Sequence, residues 1–226
     1  MRRTLALAAG AAVAAALVVA SLIGATRGST PAAAPLAGLG AARSLTGGIP
    51  QHGFVLGSPA APLTIEEFAD LQCPYCRRFA LEVLPVLVQR YVRTGKARII
   101  FRPLAFIGPD STSTARLVAA AAAQDGAWEL IDLLYRNQGA ENGGWATDDL
   151  LHDALAGAGL DARRAERAAA GEAAGAALQA AAERAAALGV KATPALVLTR
   201  KGHAPEAVAN PLDAAALFST IDAALG

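Results

Sequence analysis

Two cysteines, Cys73 and Cys76, are the only ones in the chain, and they stand three positions apart in Asp70-Leu71-Gln72-Cys73-Pro74-Tyr75-Cys76. The hydrophobic run Leu63 to Asp70 precedes them, and an amphipathic stretch with Phe79, Val83, Leu84, Leu87 and Val88 on one face follows. The first reads as a strand and the second as a helix over 73–93. At a helix start, positions i and i+3 lie within reach of a disulfide. Free N–H groups and the positive end of the helix dipole converge on Cys73 and favour its thiolate, the reactive form of the sulfur. Pro74 suits the first turn, where its missing N–H costs nothing. Cys76 lies one turn deeper. Cys73 is therefore expected to attack and Cys76 to resolve a mixed disulfide.

Two other uses of a cysteine pair fit less well. Half of a zinc site would need two more ligands, and His52, His152 and His203 are far apart with no metal-ligand spacing. No metal and no cofactor is expected. Inert core cysteines are disfavoured by the placement between a strand and a helix in a chain with an export segment.

That segment is the N-terminus. Met1-Arg2-Arg3 is basic, and Leu5 to Ala25 carries no charge. About 20 apolar residues make a helix of roughly 30 Å, enough to span a bilayer. Residues 1–25 read as an uncleaved signal-anchor or a cleaved signal peptide, and either places the rest of the chain outside the cytoplasm. Residues 26–50 are rich in Ala, Gly, Pro, Ser and Thr and read as a flexible linker. Lys+Arg 20 against Asp+Glu 19 implies no broad attraction to nucleic acid.

The remaining residues, 51–226, form one domain in this reading. Strands are expected at 54–56, 63–70, 97–102, 195–199 and near 207–208. A helical block is expected at about 111–188, and a closing helix at 211–225. On the strand 63–70, alternation puts Ile65 and Glu67 on one face and Glu66 and Phe68 on the other, with Glu66 expected in solvent if Glu67 points inward.

The segments FADLQCPYCRRFA at 68–80, RPLAFIGPDS at 102–111, NQGAENGGWATDDL at 137–150 and GVKATPALVL at 189–198 resemble the DsbA-like thiol:disulfide oxidoreductases of the thioredoxin superfamily. The first and last are the specific ones; the middle two carry no obvious chemistry of their own. The resemblance implies an α/β fold: a thioredoxin fold with a helical insertion between the second core strand and the loop that holds a cis-proline. It places that proline at Pro194, which local sequence alone would make a strand-start residue. It sets the Thr193 backbone opposite Cys73, ready to pair with an extended substrate segment. It makes Glu67 a buried proton acceptor for Cys76 and sets Pro74, Tyr75, Thr193 and Pro194 as active-site support. Many DsbA proteins carry His where this chain has Tyr75. CPYC also occurs in glutaredoxins, which have no room for such an insertion.

The function so implied is an extracytoplasmic oxidoreductase that introduces disulfides into exported proteins with cysteines. Its reduced form would be reoxidised by a membrane partner of the DsbB or vitamin K epoxide reductase-like kind. A monomer is expected. A reductase or isomerase on the same fold differs only in potential and partner. A non-enzymatic chaperone or binding protein would function without its cysteines.

Overall fold

A computed structural model describes residues 35–226. The segment expected to be a signal-anchor or signal peptide, residues 1–25, lies outside the described residues, as does the linker up to residue 34. Among the described residues no helix is long and apolar enough to cross a membrane.

The linker expected over 26–50 is corrected at its C-terminal end, where Leu39–Thr46 forms helix α1. Its glycines and alanines suggest a tether, but Ala42, Leu45 and Thr46 recur on one face and are buried. That face packs on the helix Ala127–Arg136. The Arg93 guanidinium donates to the carbonyls of Ser44, Leu45 and Gly47, which the helix end leaves unpaired.

Strands β1 (Gln51–His52), β2 (Val55–Leu56), β3 (Leu63–Ala69), β4 (Ala97–Pro103), β5 (Ala195–Arg200) and β6 (Glu206–Ala207) make one sheet in the order β1-β2-β4-β3-β5-β6. β3 and β4 are parallel, with Glu67 opposite Phe101. β5 runs antiparallel to β3, with Glu67 opposite Leu196. β3 is thus flanked on both edges, and its pattern of buried residues is nearly continuous from Leu63 to Ala69. This is the signature of a strand covered on both faces.

The crossover from β3 to β4 is the helix that carries the cysteines. Its first part, α2 (Pro74–Arg78), continues through a π-helical turn at Phe79–Val83, the α-helical turn α3 (Leu84–Leu87) and a second π-helical turn at Val88–Val92. Pro85 has no N–H to give the carbonyl one turn back, and the first π-helical turn lies just before it. Phe79, Val83, Leu84, Leu87, Val88 and Tyr91 from this helix are buried against the sheet.

Between β4 and β5 come five helices: α4 (Pro109–Ala122), α5 (Ala127–Arg136), α6 (Asp148–Gly157), α7 (Ala162–Ala169) and α8 (Glu172–Ala187). Thr147 caps α6 by accepting from Leu150 N–H, and Asp161 caps α7. The closing helix, α9 (Ala214–Leu225), begins after Asp213, whose carboxylate caps it. Pro211, expected in its first turn, lies outside it because Asp213 offers the stronger cap.

Candidate active site

β3 and β4 end side by side, and the chain leaves β3 through Asp70-Leu71-Gln72 into Cys73. Cys73 is the N-cap of α2, in extended conformation (φ −70°, ψ 121°), and Pro74 is in the first turn. The Cys73 Sγ accepts from the Cys76 N–H at 3.4 Å, one of the donors a helix start leaves unpaired. Both sulfurs are free thiols. Cys73 keeps 5% of its surface exposed and Cys76 none. Tyr75, between them, is 60% exposed.

These surroundings split the two thiols. Hydrogen bonding from the Cys76 thiol, then from the Thr193 side chain and the backbone of Cys76 and Tyr75, outweighs desolvation and lowers the Cys73 pKa to about 6. Burial and the neighbouring Cys73 push Cys76 far up. The pair therefore shares one negative charge, held on the outer sulfur.

Opposite the cysteines, the Thr193–Pro194 peptide bond is cis. The Thr193 carbonyl oxygen lies 3.6 Å from Cys73 Sγ, which donates to it as a thiol. Thr193 and Pro194 are both half-buried immediately before β5. The helix start and the loop before β5 thus meet at one sulfur.

Glu67, on β3, is 1% exposed, with neither carboxylate oxygen hydrogen-bonded. Desolvation raises its pKa to about 8. A carboxyl in that state is a proton carrier near neutral pH. Its electrostatic influence, with that of Cys76 and Cys73, falls on the fully buried Tyr135 hydroxyl, whose own pKa is raised well above normal chiefly by burial.

Glu66, expected in solvent, is instead 3% exposed. α8 covers that face of the sheet. Arg184 from α8 donates to Glu66 at 2.6 Å and Arg102 from β4 at 2.7 Å. Burial opposes ionisation, but the two guanidinium groups prevail and hold the Glu66 pKa below its usual value.

Five residues that sequence reasoning did not single out frame the cysteine loop. The buried Asp70 carboxylate accepts from the N–H groups of Gln72, Phe106 and Ile107. Tyr135 donates to the Asp70 carbonyl. Gln72, Gln138 and Asn142 join the loop to the insertion. Asp70, Gln72, Gln138 and Asn142 sit in the family-like segments at 68–80 and 137–150, which is their only signal in the sequence; Tyr135 lies outside them. Among the described residues, no three His, Cys, Asp or Glu side chains are grouped to hold a metal ion.

The family profile described as thioredoxin matches residues 51–223. The chain belongs to that family. Among solved structures, oxidised BdbD from Bacillus subtilis superposes with a TM-score of 0.69 at 22% identity, covering 76% of this chain and 92% of that one. A thioredoxin-like oxidoreductase from Silicibacter pomeroyi gives 0.61 at 26% identity, covering 80% and 96%. The thioredoxin fold with a DsbA-like helical insertion is thereby shown. A probable disulfide bond formation protein D of Bacillus cereus is 39% identical over 98 residues, which are 42% of this chain and 45% of that protein. The chain thus spans under half the length of that curated relative.

Proposed function

We propose that this thioredoxin-family chain is a thiol–disulfide oxidoreductase that forms disulfides in exported proteins through Cys73 and Cys76. The observation that carries this reading is the unequal pair: an outer sulfur, 5% exposed, stabilised as a thiolate at a helix start, and a fully buried sulfur held as a thiol. The likeness to disulfide bond formation protein D supports it.

In the oxidised protein, a substrate thiolate attacks Cys73 Sγ. The Cys73–Cys76 bond breaks, and its electron pair leaves on Cys76, which takes a proton relayed by Glu67. A second substrate thiolate then attacks the substrate sulfur of the mixed disulfide. The substrate disulfide forms and Cys73 leaves as a stable thiolate. The substrate loses two electrons and the cysteine pair gains them. A low Cys73 pKa stabilises the reduced form and so favours oxidation of substrates over their reduction. Tyr75, exposed beside Cys73, and the Thr193 backbone are the surfaces an extended substrate would meet, with Pro74 and Pro194 shaping the two loops.

Residues 1–25 would serve as membrane anchor or cleaved signal, with the domain outside the cytoplasm. A membrane protein of the DsbB or vitamin K epoxide reductase-like kind would reoxidise the pair. The test is oxidative refolding: the oxidised domain should restore activity to a reduced, unfolded disulfide-containing enzyme, with loss of that ability in Cys73→Ser. Equal refolding with and without Cys73 would end the reading.

A further inference from the structure

The loop that presents Cys73 is held from the side by the turn that follows α5. Gln138 is the second residue after that helix. Its Nε2 donates to the carbonyl of Leu71 at 2.7 Å and to the carbonyl of Cys73 at 3.3 Å. The Cys73 carbonyl is at the same time the acceptor for the Arg77 N–H at 3.0 Å. Between those two carbonyls, the Gln72 side chain reaches back into the insertion. It is 1% exposed. Its Oε1 accepts from the Asn142 N–H at 2.7 Å, and its Nε2 donates to Ser111 Oγ at 3.0 Å. Asn142 sits in the left-handed region at φ 54°. Few residues adopt that conformation, and such outliers persist where surrounding structure demands them. Gly108 clears the space, since a Cβ there would collide with Asn142 Oδ1. Two amide side chains thus cross in opposite directions: Gln138 binds the carbonyls of Leu71 and Cys73, and Gln72 ties the same loop to Asn142 and Ser111.

We infer that the turn 138–142 is a clamp on the Cys73 loop, and that Gln138 is a positioning residue that tunes the nucleophile through the carbonyls of Leu71 and Cys73. This rests on Cys73 being the attacking sulfur. The physical argument is electrostatic and geometric. The two carbonyl oxygens belong to the loop that carries the thiolate and bear partial negative charge. The Gln138 N–H groups place positive charge on those oxygens and keep them in one orientation. Without the donor, the Leu71 carbonyl turns toward water or remains unpaired, the Cys73 carbonyl keeps only the Arg77 N–H, and the thiolate is less favoured. The other titratable groups around the sulfur are Cys76 and Arg77 on its own helix, Glu67 on β3, Asp70 at its end and Tyr135 on α5. Of these, Arg77 shares the Cys73 carbonyl through its backbone N–H and the Asp70 carboxylate accepts from Gln72 N–H, while Gln138 binds the Leu71 carbonyl.

The experiment compares the reduced wild-type domain with Gln138→Met, which keeps the length and loses the donor, and Gln138→Glu, which faces both carbonyls with a carboxylate. Thiolate absorbance between pH 4 and 8 reads Cys73 alone, because Cys76 stays protonated there. The midpoint should rise by about half a unit or more in Gln138→Met and further in Gln138→Glu. The equilibrium with glutathione should shift about threefold or more toward the intramolecular disulfide, making each variant a weaker oxidant. A role confined to closing the turn would lower thermal stability and leave midpoint and equilibrium constant at wild-type values, which overturns the inference. Should Gln138→Glu fail to fold, Gln138→Met alone decides in the same way. A wild-type domain that exchanges with glutathione while Gln138→Met matches it fails only the clamp. A wild-type domain with no exchange fails the function as well.

Discussion

The Cys73 sulfur lies 3.6 Å from the Thr193 carbonyl oxygen, across residues 120 positions apart in the chain. A carbonyl oxygen can accept from a thiol and has nothing to offer a thiolate. Once Cys73 ionises, that oxygen is open to an N–H from another backbone. The contact therefore links the charge state of Cys73 to the availability of a backbone acceptor beside it.

The acidity of Cys73 gives the first prediction. With its pKa lowered to about 6, alkylation of the reduced protein by iodoacetamide should rise with pH to a plateau above about 7, where a free cysteine near 8.5 is still mostly thiol. Stability follows with a definite sign. A depressed pKa stabilises the reduced fold fully above the unfolded value, and that contribution disappears as pH falls through about 6. The reduced-minus-oxidised difference in unfolding free energy should grow between pH 6 and 9. A difference independent of pH over that window would contradict the assignment.

Glu67 has the opposite sign. Its folded pKa is raised to about 8 from 4.5, so the native state binds the extra proton, and the stability it contributes is lost as pH rises from about 4.5 through 8. Glu67→Gln should leave stability near wild type at pH 4.5 and raise it by on the order of 2–4 kcal/mol at pH 8. If Glu67 relays the Cys76 proton, the same variant should slow release of trapped substrate. Chemical denaturation at both pH values checks the first, and the decay of a mixed disulfide checks the second.

Division of labour between the sulfurs follows from burial. Cys76 has no exposed surface, so in Cys76→Ser the Cys73 thiolate should attack the disulfides of oxidised substrate proteins, release one substrate thiolate and remain in a mixed disulfide, whereas Cys73→Ser should accumulate far fewer adducts. Non-reducing electrophoresis reads the adducts. Comparable trapping by the two variants would reverse the assigned order.

Glu66 holds Arg102 on β4 and Arg184 on α8, the helix that leads into the Thr193–Pro194 loop. Removing the shared acid leaves two cations facing a buried sheet position. The arginines are partly exposed, which reduces the loss, and Glu66→Ala should cost about 1–3 kcal/mol. Guanidinium-free denaturation in urea measures it. A neutral result would mean the triad contributes nothing net.

The cysteine motif was legible because its chemistry is local: two sulfurs one helical turn apart after a strand are read from adjacent residues. Alternation along β3 correctly opposed Glu66 to Glu67. It did not give the burial of Glu66, because alternation names a face and not what covers it, and α8 arrives from more than a hundred positions downstream. Helix α1 was hidden for a related reason: its glycines and alanines match a tether, and only α5 and Arg93 make its apolar face worth burying. Gln72, Gln138 and Asn142 are polar residues in a loop until three distant segments meet, so no spacing rule could select them. The cis geometry before Pro194 came from family likeness and not from the residues themselves.

The central claim is that Cys73 and Cys76 form a redox-active pair tuned to oxidise. Its most direct test is the equilibrium between the reduced and oxidised domain across a glutathione redox series, followed by mass after acid quenching and alkylation. The account predicts one two-electron transition, with both cysteines modified or neither, and a potential above about −200 mV. A pair that stays reduced across the series, or a potential at or below the roughly −270 mV of a reducing thioredoxin, would contradict it.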